Sequence, residues 1–599
     1  MVGAAARGRD DPTAARGPER LLVSILALGA IAALFLFRSA DDNRLTSWRW
    51  AFADAEPARL YALVVAGILL ALLLAKRPLP GPRPAAALFL LSFAVGASFW
   101  GQPEVILDAS RYFTQAKHLE IYGLGYFLEE WGRSLPAWTD LPLVPLLYGL
   151  VFSLLGESRI HIQAFTTLLF AGAVALTYGV GKALWDEEVG FMAGALLLGI
   201  PYLPTQVPSM LVDVPTMFFL TLAVFAVIRA FQSGGIGRIL LASLAVSLAF
   251  FSKYSTWLML SVLPVTGMVL RRGGAPRPLR TGFAIVLISG SLVAAAVLPR
   301  HEVYSQQMAL LWSYQAPGLG RWGESFVSTF LFQVHPFLTA AALLSIWVAL
   351  RRRDPRYAVV LWPVLLLLLL RIQRIRYWIP AFPMLALMGA YGLQAIRARE
   401  VRSLVLWCTV VSSLVVALYG YLPFLETISS VNVKRAGEYL DSIEEQRVEV
   451  FTLSGADSEV NPAVSVPILD LFTAKKLIYT YSGPSPSARR RAEDSALRFT
   501  WEYRNPAYYA ADGAEGNAAV VVISGAAGQP LPGRMIERLK GHRLARVFAA
   551  HEGVFRYRTM VEVYRVASPW QGGGWEHAGA SRTDTRSRRR DGGTGRWPE

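Results

Sequence analysis

Residues 357–396 read YAVVLWPVLLLLLLRIQRIRYWIPAFPMLALMGAYGLQAI. Two apolar runs, 357–370 and 377–396, flank a short segment that carries Arg371, Arg374 and Arg376. A bilayer core of about 30 Å takes roughly 17–25 apolar residues per crossing helix. Paired runs of about this length, with charge only between them, read as two membrane-spanning helices joined by a basic turn.

Working outward, the same alternation recurs from Leu21 to Leu422 and then stops. The chain has 599 residues, 54% hydrophobic and 17% charged. Soluble domains carry roughly 25% charge, so the deficit points to lipid as solvent. Thirteen crossings are expected, at 21–37, 60–75, 85–100, 162–183, 189–207, 214–230, 239–252, 255–270, 281–298, 328–350, 357–370, 377–396 and 403–422. The formal charge of +16 does not indicate nucleic acid, because the arginines fall in short clusters between apolar runs, where they set topology. The single cysteine, Cys408, lies inside an apolar run, which excludes an intrachain disulfide.

Arg7, Arg9, Arg16 and Arg20 place segment 1–20 in the cytoplasm, and 21–37 reads as a retained start-transfer helix. Alternation then makes loops 76–83, 182–188, 229–238, 271–280, 351–356 and 397–402 cytoplasmic, and nearly all are basic. Two places strain the register. Residues 239–270 must turn around at Lys253 between two short helices, and loop 371–376 falls outside although it is strongly basic. An odd number of crossings also puts everything after Leu422 outside. Strands are expected at 448–453, 518–523 and 560–566, with helices near 433–446 and 534–540. The fold class is therefore a polytopic α-helical membrane protein: a transmembrane domain at 21–422, an extracytoplasmic α/β domain at 430–568, and an Arg-rich disordered tail at 569–599.

The long external loop 101–161 contains Asp108, Arg111, Tyr112, Lys117, His118, Glu120 and Asp140. Its apolar part, 141–155, opens with Pro142 and Pro145 and reads as a juxtamembrane helix; counting it as a crossing would invert every later loop. Asp108 stands at the membrane surface, as a helix cap or as a carboxylate that receives a proton or binds a metal. Asp213, two residues before Pro215, caps a helix start in the simplest reading. Topology nevertheless brings it to the same membrane face as Asp108, where the pair could share a divalent metal (Mg or Mn) or divide acid/base work. Lys253 is an intramembrane charge, functional or snorkelling to water. Arg371, Arg374 and Arg376 are either a topology exception or a phosphate site, which guanidinium groups suit through always-charged, bidentate donors. Arg300, His301 and Glu302 open another external loop and offer a cation or a metal ligand.

The order of these features resembles the GT-C membrane glycosyltransferases, in particular the dolichyl-phosphate-mannose protein mannosyltransferase and aminoarabinose transferase group. The likeness covers 85–422, and the C-terminal domain more loosely. It is carried by Asp108-Ala-Ser-Arg-Tyr112, by the proline-led segment 141–156, by Ser209-Met-Leu-Val-Asp213-Val-Pro-Thr-Met-Phe218, by Phe250-Phe-Ser-Lys253, and by Arg374-Ile-Arg376-Tyr377-Trp-Ile-Pro380-Ala-Phe-Pro383. The family's first motif usually reads Asp-Glu; here Ala109 follows Asp108, and the two crossings before Ala85 are additional. The resemblance implies an inverting hexosyl- or pentosyltransferase of the plasma membrane. It would use a polyprenyl-phosphate-linked sugar and a lipid, protein or glycan acceptor. Asp108 would activate the acceptor and Asp213 would assist, directly or through a metal. Lys253, Arg371, Arg374, Arg376 and Tyr377 would bind the donor phosphate, with Arg111 and Tyr112 as further site residues. The alternatives are a multi-pass secondary transporter, which should show internal repeats and midplane charges that the sequence does not display, and an assembly or receptor protein anchored by its helices.

Overall fold

The computed structural model describes residues 17–77, 82–272, 278–454, 458–481, 495, 497–510, 518–525, 528–555 and 557–567. Arg7, Arg9 and Arg16 of the predicted cytoplasmic segment, and the tail 569–599, lie outside them. The helical part runs through α1 (Gly17–Leu36), α2 (Pro57–Ala75), α3 (Pro84–Ala97), α4 (Ala109–Glu130), α5 (Leu143–Leu155), α6 (Arg159–Leu184), α7 (Glu187–Leu198), α8 (Asp213–Ser233), α9 (Ile236–Ser252), α10 (Val262–Arg272), α11 (Pro278–Val297), α12 (Pro336–Arg352), α13 (Tyr357–Leu369), α14 (Phe382–Leu393) and α15 (Arg399–Val415).

Among the described residues six helical runs are long and apolar enough to span a bilayer: α1, α2, α6, α8, the run that α11 begins and the run that α15 begins. The other predicted runs are shorter or interrupted, each for a local reason. Run 189–207 stops at Leu198 because Gly199 and Pro201 follow. Run 328–350 breaks at Val334, where Pro336 starts α12. Run 377–396 opens as a tight 3₁₀ turn, Ile375–Ala381, before α14. Such pieces survive at membrane depth only when packed against protein. Among them α14 meets that condition, being buried along its whole length; among the full-length spans, α8 has 78% of its apolar window covered, against 22% for α1. Leu69, Leu73, Leu90, Phe283, Val286 and Leu350 point outward, which is the arrangement lipid requires. The protein is a multi-pass membrane protein with α8 near its centre.

Contacts sort the loops into two ends. Arg20 pairs with Glu400, and Arg402 pairs with Glu188 at 2.5 Å. Gln394 donates to Asp186 at 2.9 Å, and Arg356 donates to the Leu184 carbonyl at 2.8 Å. Loops that the basic residues assigned to one side therefore meet at one end. The other end carries α4, α5 and the C-terminal unit.

That unit begins with α16 (Ser430–Asp441) and holds strands β1 (Arg447–Thr452), β2 (Lys476–Tyr479), β3 (Ala519–Ser524), β4 (His542–Phe548) and β5 (Met560–Val566) in the order β2-β1-β3-β5-β4. β2, β1 and β3 are parallel; β5 runs antiparallel to β3 and β4. Val448, Val450, Val521, Ile523, Val561 and Val563 build its core with Leu440 and Leu469. β2 and β4 carry no strand pattern in the sequence: β2 has four residues, and β4 is exposed along most of its length, so neither shows burial on alternate residues. The unit docks on the helices through Lys434, which donates to the Gly101 carbonyl at 2.6 Å, and through Arg159 over the Phe472 ring at 4.9 Å.

Candidate active site

Four backbone devices converge at the upper end of α8. The turn before Asp213 is fixed by Tyr148, whose hydroxyl donates to the Leu211 carbonyl at 2.6 Å, and by Glu104, which accepts from the Met210 amide and pairs with Arg159. Lys253 sits at the end of α9 in extended backbone, so the helix breaks there and the side chain leaves the helix surface. Arg376 lies in the 3₁₀ turn, whose approach is held by Trp378 donating to the Ile372 carbonyl (2.7 Å) and Thr329 donating to the Gln373 carbonyl (2.9 Å). Asp108 precedes the first turn of α4, and Arg111 lies one turn further on.

Together these place three cations against three carboxylates. Arg376 donates to both acidic residues: Nε to Asp213 Oδ2 at 2.8 Å and Nη1 to Asp108 Oδ2 at 2.5 Å. Lys253 Nζ reaches Asp213 Oδ1 at 2.5 Å. Arg111 Nη2 contacts Asp108 Oδ1 at 2.9 Å and Asp140 Oδ1 at 3.2 Å. Asp213 is wholly enclosed (0% side-chain exposure), whereas Asp108 keeps 18% and faces open space. The two carboxylates thus have different work. Asp213 holds Arg376 and Lys253 in place, and Asp108 is the one a second molecule can touch.

Burial alone would raise the Asp108 carboxyl, but the charges of Arg376 and Arg111 hold it well below the usual carboxylate range. Asp140 goes the other way. Its burial outweighs the attraction of Arg111, and the carboxyl is pushed up to about 6. Arg111 also keeps two buried donors, Nε and Nη1, that no group of the described chain accepts.

A cavity of about 1790 Å³ opens above this cluster. Asp108, Arg111, Asp140, Lys253, Arg374, Arg376 and Tyr377 form its floor, and Leu258, Met259, Leu366, Leu367 and Leu370 give it an apolar wall. The C-terminal unit roofs it with the segments that follow β1 and β2, including Leu453, Ser454 and Tyr481, and with Phe499. Lys253 lies 5.2 Å and Arg374 5.8 Å from the Tyr377 ring centre.

Of the residues singled out in the sequence, Asp108, Asp213, Lys253, Arg374, Arg376, Tyr377, Arg111 and Tyr112 come together. Four do not. Arg371 ends α13 in a left-handed turn (φ 52°) that leaves it exposed and off the cavity lining. Arg300 spends its reach on the Trp131 carbonyl at 3.1 Å, while His301 and Glu302 are exposed. Residues that sequence reasoning did not assign to the site are Asp140, Trp322 and Glu324. The first was visible only as one acid among several in a long loop, and the other two lie in no motif.

Asp108 and Asp213, the pair expected to share a divalent metal, are joined by a guanidinium. Among the described residues no group of three or more His, Cys, Asp or Glu could hold an ion. The donor set as placed does not fit Mg or Mn, since an ion between the carboxylates would have to displace Arg376.

Residues 137–300 match the family described as dolichyl-phosphate-mannose-protein mannosyltransferase. That stretch includes Asp213 and Lys253 and leaves Asp108 and Arg376 outside it. The lipid A galacturonosyltransferase RgtD of Rhizobium johnstonii is 24% identical over 295 residues, 47% of this chain and 59% of that protein. The chain therefore aligns with well under two thirds of this relative's length. Among solved structures, ArnT from Cupriavidus metallidurans bound to undecaprenyl phosphate is 13% identical over 80% of this chain and 98% of that chain, with a TM-score of 0.48. The archaeal oligosaccharyltransferase AglB from Archaeoglobus fulgidus, in complex with an inhibitory peptide and a dolichol-phosphate, is 12% identical over 74% and 69%, with a TM-score of 0.42. The family and sequence matches bear out the resemblance to the GT-C membrane glycosyltransferases; of the motifs that carried it, the proline-led segment 141–156 and the Asp213 and Lys253 segments lie inside the matched stretch.

Proposed function

We propose that this protein is a glycosyltransferase that moves a sugar from a polyprenyl-phosphate-linked donor to a hydroxyl or amine of an acceptor, at the extracytoplasmic face and with inversion. The observation that carries the reading is Asp108, an ionised carboxylate open to a large cavity and flanked by cations on the donor side. The cavity end is assigned to the outside because the basic loops meet at the other end. Its apolar wall suits a polyprenyl chain entering from the bilayer, and the polar groups under the C-terminal unit suit an acceptor.

In the proposed reaction the acceptor oxygen or nitrogen attacks the anomeric carbon as the bond to the phosphate oxygen breaks. The electron pair leaves with the polyprenyl phosphate, and the acceptor proton passes to Asp108. Arg111, which grips Asp108 through Nη2, is suited to keep that carboxylate turned toward the acceptor. A carboxylate gripped by two arginines is a poor base, but the grip changes as the reaction proceeds. Charge growing on the phosphate competes for Arg376 and Lys253, and Asp108 gains basicity as Arg376 is drawn away.

The test is Asp108→Asn in the full-length protein. The amide keeps the size of the side chain and cannot take the proton, so sugar transfer should fall by about 10²–10⁴-fold while undecaprenyl phosphate still binds. Undiminished transfer by a folded variant would overturn the assignment.

A further inference from the structure

The N-terminal hairpin α1–α2 stands apart from every residue that the proposed chemistry uses, yet its connecting segment reaches the site. Arg44 Nε donates to the Trp322 carbonyl at 2.6 Å, and Asp42 Oδ1 accepts from the Ser325 amide at 2.9 Å. Just behind them, Asp41 accepts from the Ser328 hydroxyl at 2.5 Å and from the Gln333 amide group at 2.8 Å. Gln333 in turn accepts from the Thr46 hydroxyl at 2.7 Å. Segment 322–333 is thus fastened to the hairpin at four points.

The far side of the same segment holds Arg374. The guanidinium lies over the Trp322 ring at 3.7 Å, and its Nε stands 4.0 Å from Glu324. Glu324 also accepts from the Ile375 amide at 3.1 Å, which ties it to the arginine loop. Stacking on an indole fixes the plane of a guanidinium without consuming its hydrogen-bond donors, and an ion pair stretched to 4.0 Å leaves most of its charge available. Arg374 is therefore oriented but not saturated, which is the state an anion-binding arginine needs. Gly323 makes the approach of Arg44 possible. It adopts φ 64°, and a Cβ there would stand 3.2 Å from Arg44 Nη2, so a side chain would crowd the arginine that secures Trp322.

We propose that Arg44 and Asp42 are positioning residues for the donor-phosphate site: they set Trp322 and Glu324, and through them the plane of Arg374. The inference rests on the reading of Arg374 as a phosphate ligand. It gives the hairpin a role beyond membrane anchoring.

The test uses full-length protein with undecaprenyl phosphate as probe. Arg44→Ala removes one hydrogen bond in the chain of contacts, so the Kd for the probe should rise roughly three- to tenfold. Arg44→Lys, which keeps a donor on a long stem, should restore most of the loss. The Arg44→Ala/Trp322→Ala double variant should lose less than the sum of the two single losses, because Arg44 acts in part through Trp322. Asp42→Asn, a milder change, should show a smaller shift in the same direction if Arg44→Ala proves unstable. Unchanged affinity in both Arg44→Ala and Asp42→Asn, or fully additive losses with Trp322→Ala, would overturn the proposal. Arg374→Ala separates the two levels: if it leaves probe affinity unchanged, the phosphate reading itself fails. If it weakens binding and the hairpin variants do not, only the positioning role fails.

Discussion

Two buried charge clusters share α4, and they differ in what they border. At its start, Asp108 and Arg111 join Arg376, Lys253 and Asp140 on the floor of the cavity, with Asp213 enclosed behind Arg376 and Lys253. Two turns further along, Lys117 contacts Glu157 at 3.0 Å and Asp470 at 2.6 Å, and Tyr509 donates to the same Asp470 oxygen at 2.7 Å. None of Lys117, Glu157 and Asp470 lines the cavity. The first cluster balances its acids with an equal number of cations and leaves one carboxylate open. The second gives two carboxylates a single lysine, and burial with the neighbouring Asp470 charge pushes the Glu157 carboxyl up to about 8. Burying charge is costly in both places. Access to the cavity and the balance of charge together separate the first cluster from the one that fastens the C-terminal unit to α4.

Replacing the lysine of each cluster breaks that comparison most directly. Lys253→Met removes a cation that in the proposed reaction stabilises the departing phosphate, and should lower sugar transfer by about 10²–10³-fold, the usual loss when one stabilising donor is taken from a developing oxyanion. Lys117→Met should leave transfer per folded molecule unchanged and cost about 3 kcal/mol of stability, because Asp470 is left buried with only Tyr509 to serve it. Thermal unfolding and initial rates on the same preparations check both. A rate loss in Lys117→Met at full stability would show that the second cluster also acts in the chemistry.

A smaller effect sharpens the same contrast through pH. The folded-state value of Glu157 lies above the ordinary 4.5, so the folded protein holds that proton more tightly than the unfolded chain does. Its contribution to stability is complete below pH 4.5 and is lost as pH rises through about 8. Glu157→Gln mimics the protonated form and should flatten this decline between pH 4.5 and 8 while leaving transfer intact. A stability profile identical to the unsubstituted protein across that window would contradict the assignment.

The sequence carried much of this and lost the rest for identifiable reasons. Apolar runs and basic loops were enough for a multi-pass helical membrane protein, since both follow from the bilayer itself. Asp108, Asp213, Lys253 and Arg376 could be brought to one face by counting crossings, which needs topology and no coordinates. Arg111 and Asp140 were beyond such counting as a pair. α4 is kinked at Gly123, in a positive-φ backbone (83°), and the chain returns through a further turn before Asp140 reaches Arg111. Trp322 and Glu324 were invisible for another reason. They act on Arg374 across about fifty residues of chain, and nothing in their local spacing marks a helix, a cap or a motif. The short helices 187–198 and 382–393 read as parts of full crossings because hydropathy does not register Gly199 and Pro201, which end the first, or the 3₁₀ turn around Pro380 that precedes the second.

The finest test lies inside the basic turn from which the reading of the fold began. Arg371 and Arg376 are five residues apart and identical in chemistry, yet the left-handed turn at Arg371 sends one guanidinium to the surface, while the 3₁₀ turn points the other between two carboxylates. Arg376→Gln should therefore abolish transfer and destabilise the fold, since it leaves Asp213 paired with Lys253 alone. Arg371→Gln removes an exposed charge that touches neither the cavity nor a buried partner, and such substitutions move free energies by no more than about 0.5 kcal/mol. Its transfer rate and undecaprenyl phosphate affinity should stay within about twofold of the unsubstituted protein. A tenfold loss of affinity in Arg371→Gln would mean that the donor phosphate is read by the charge of the whole turn, and the separation of the two arginines by backbone geometry would no longer account for the site.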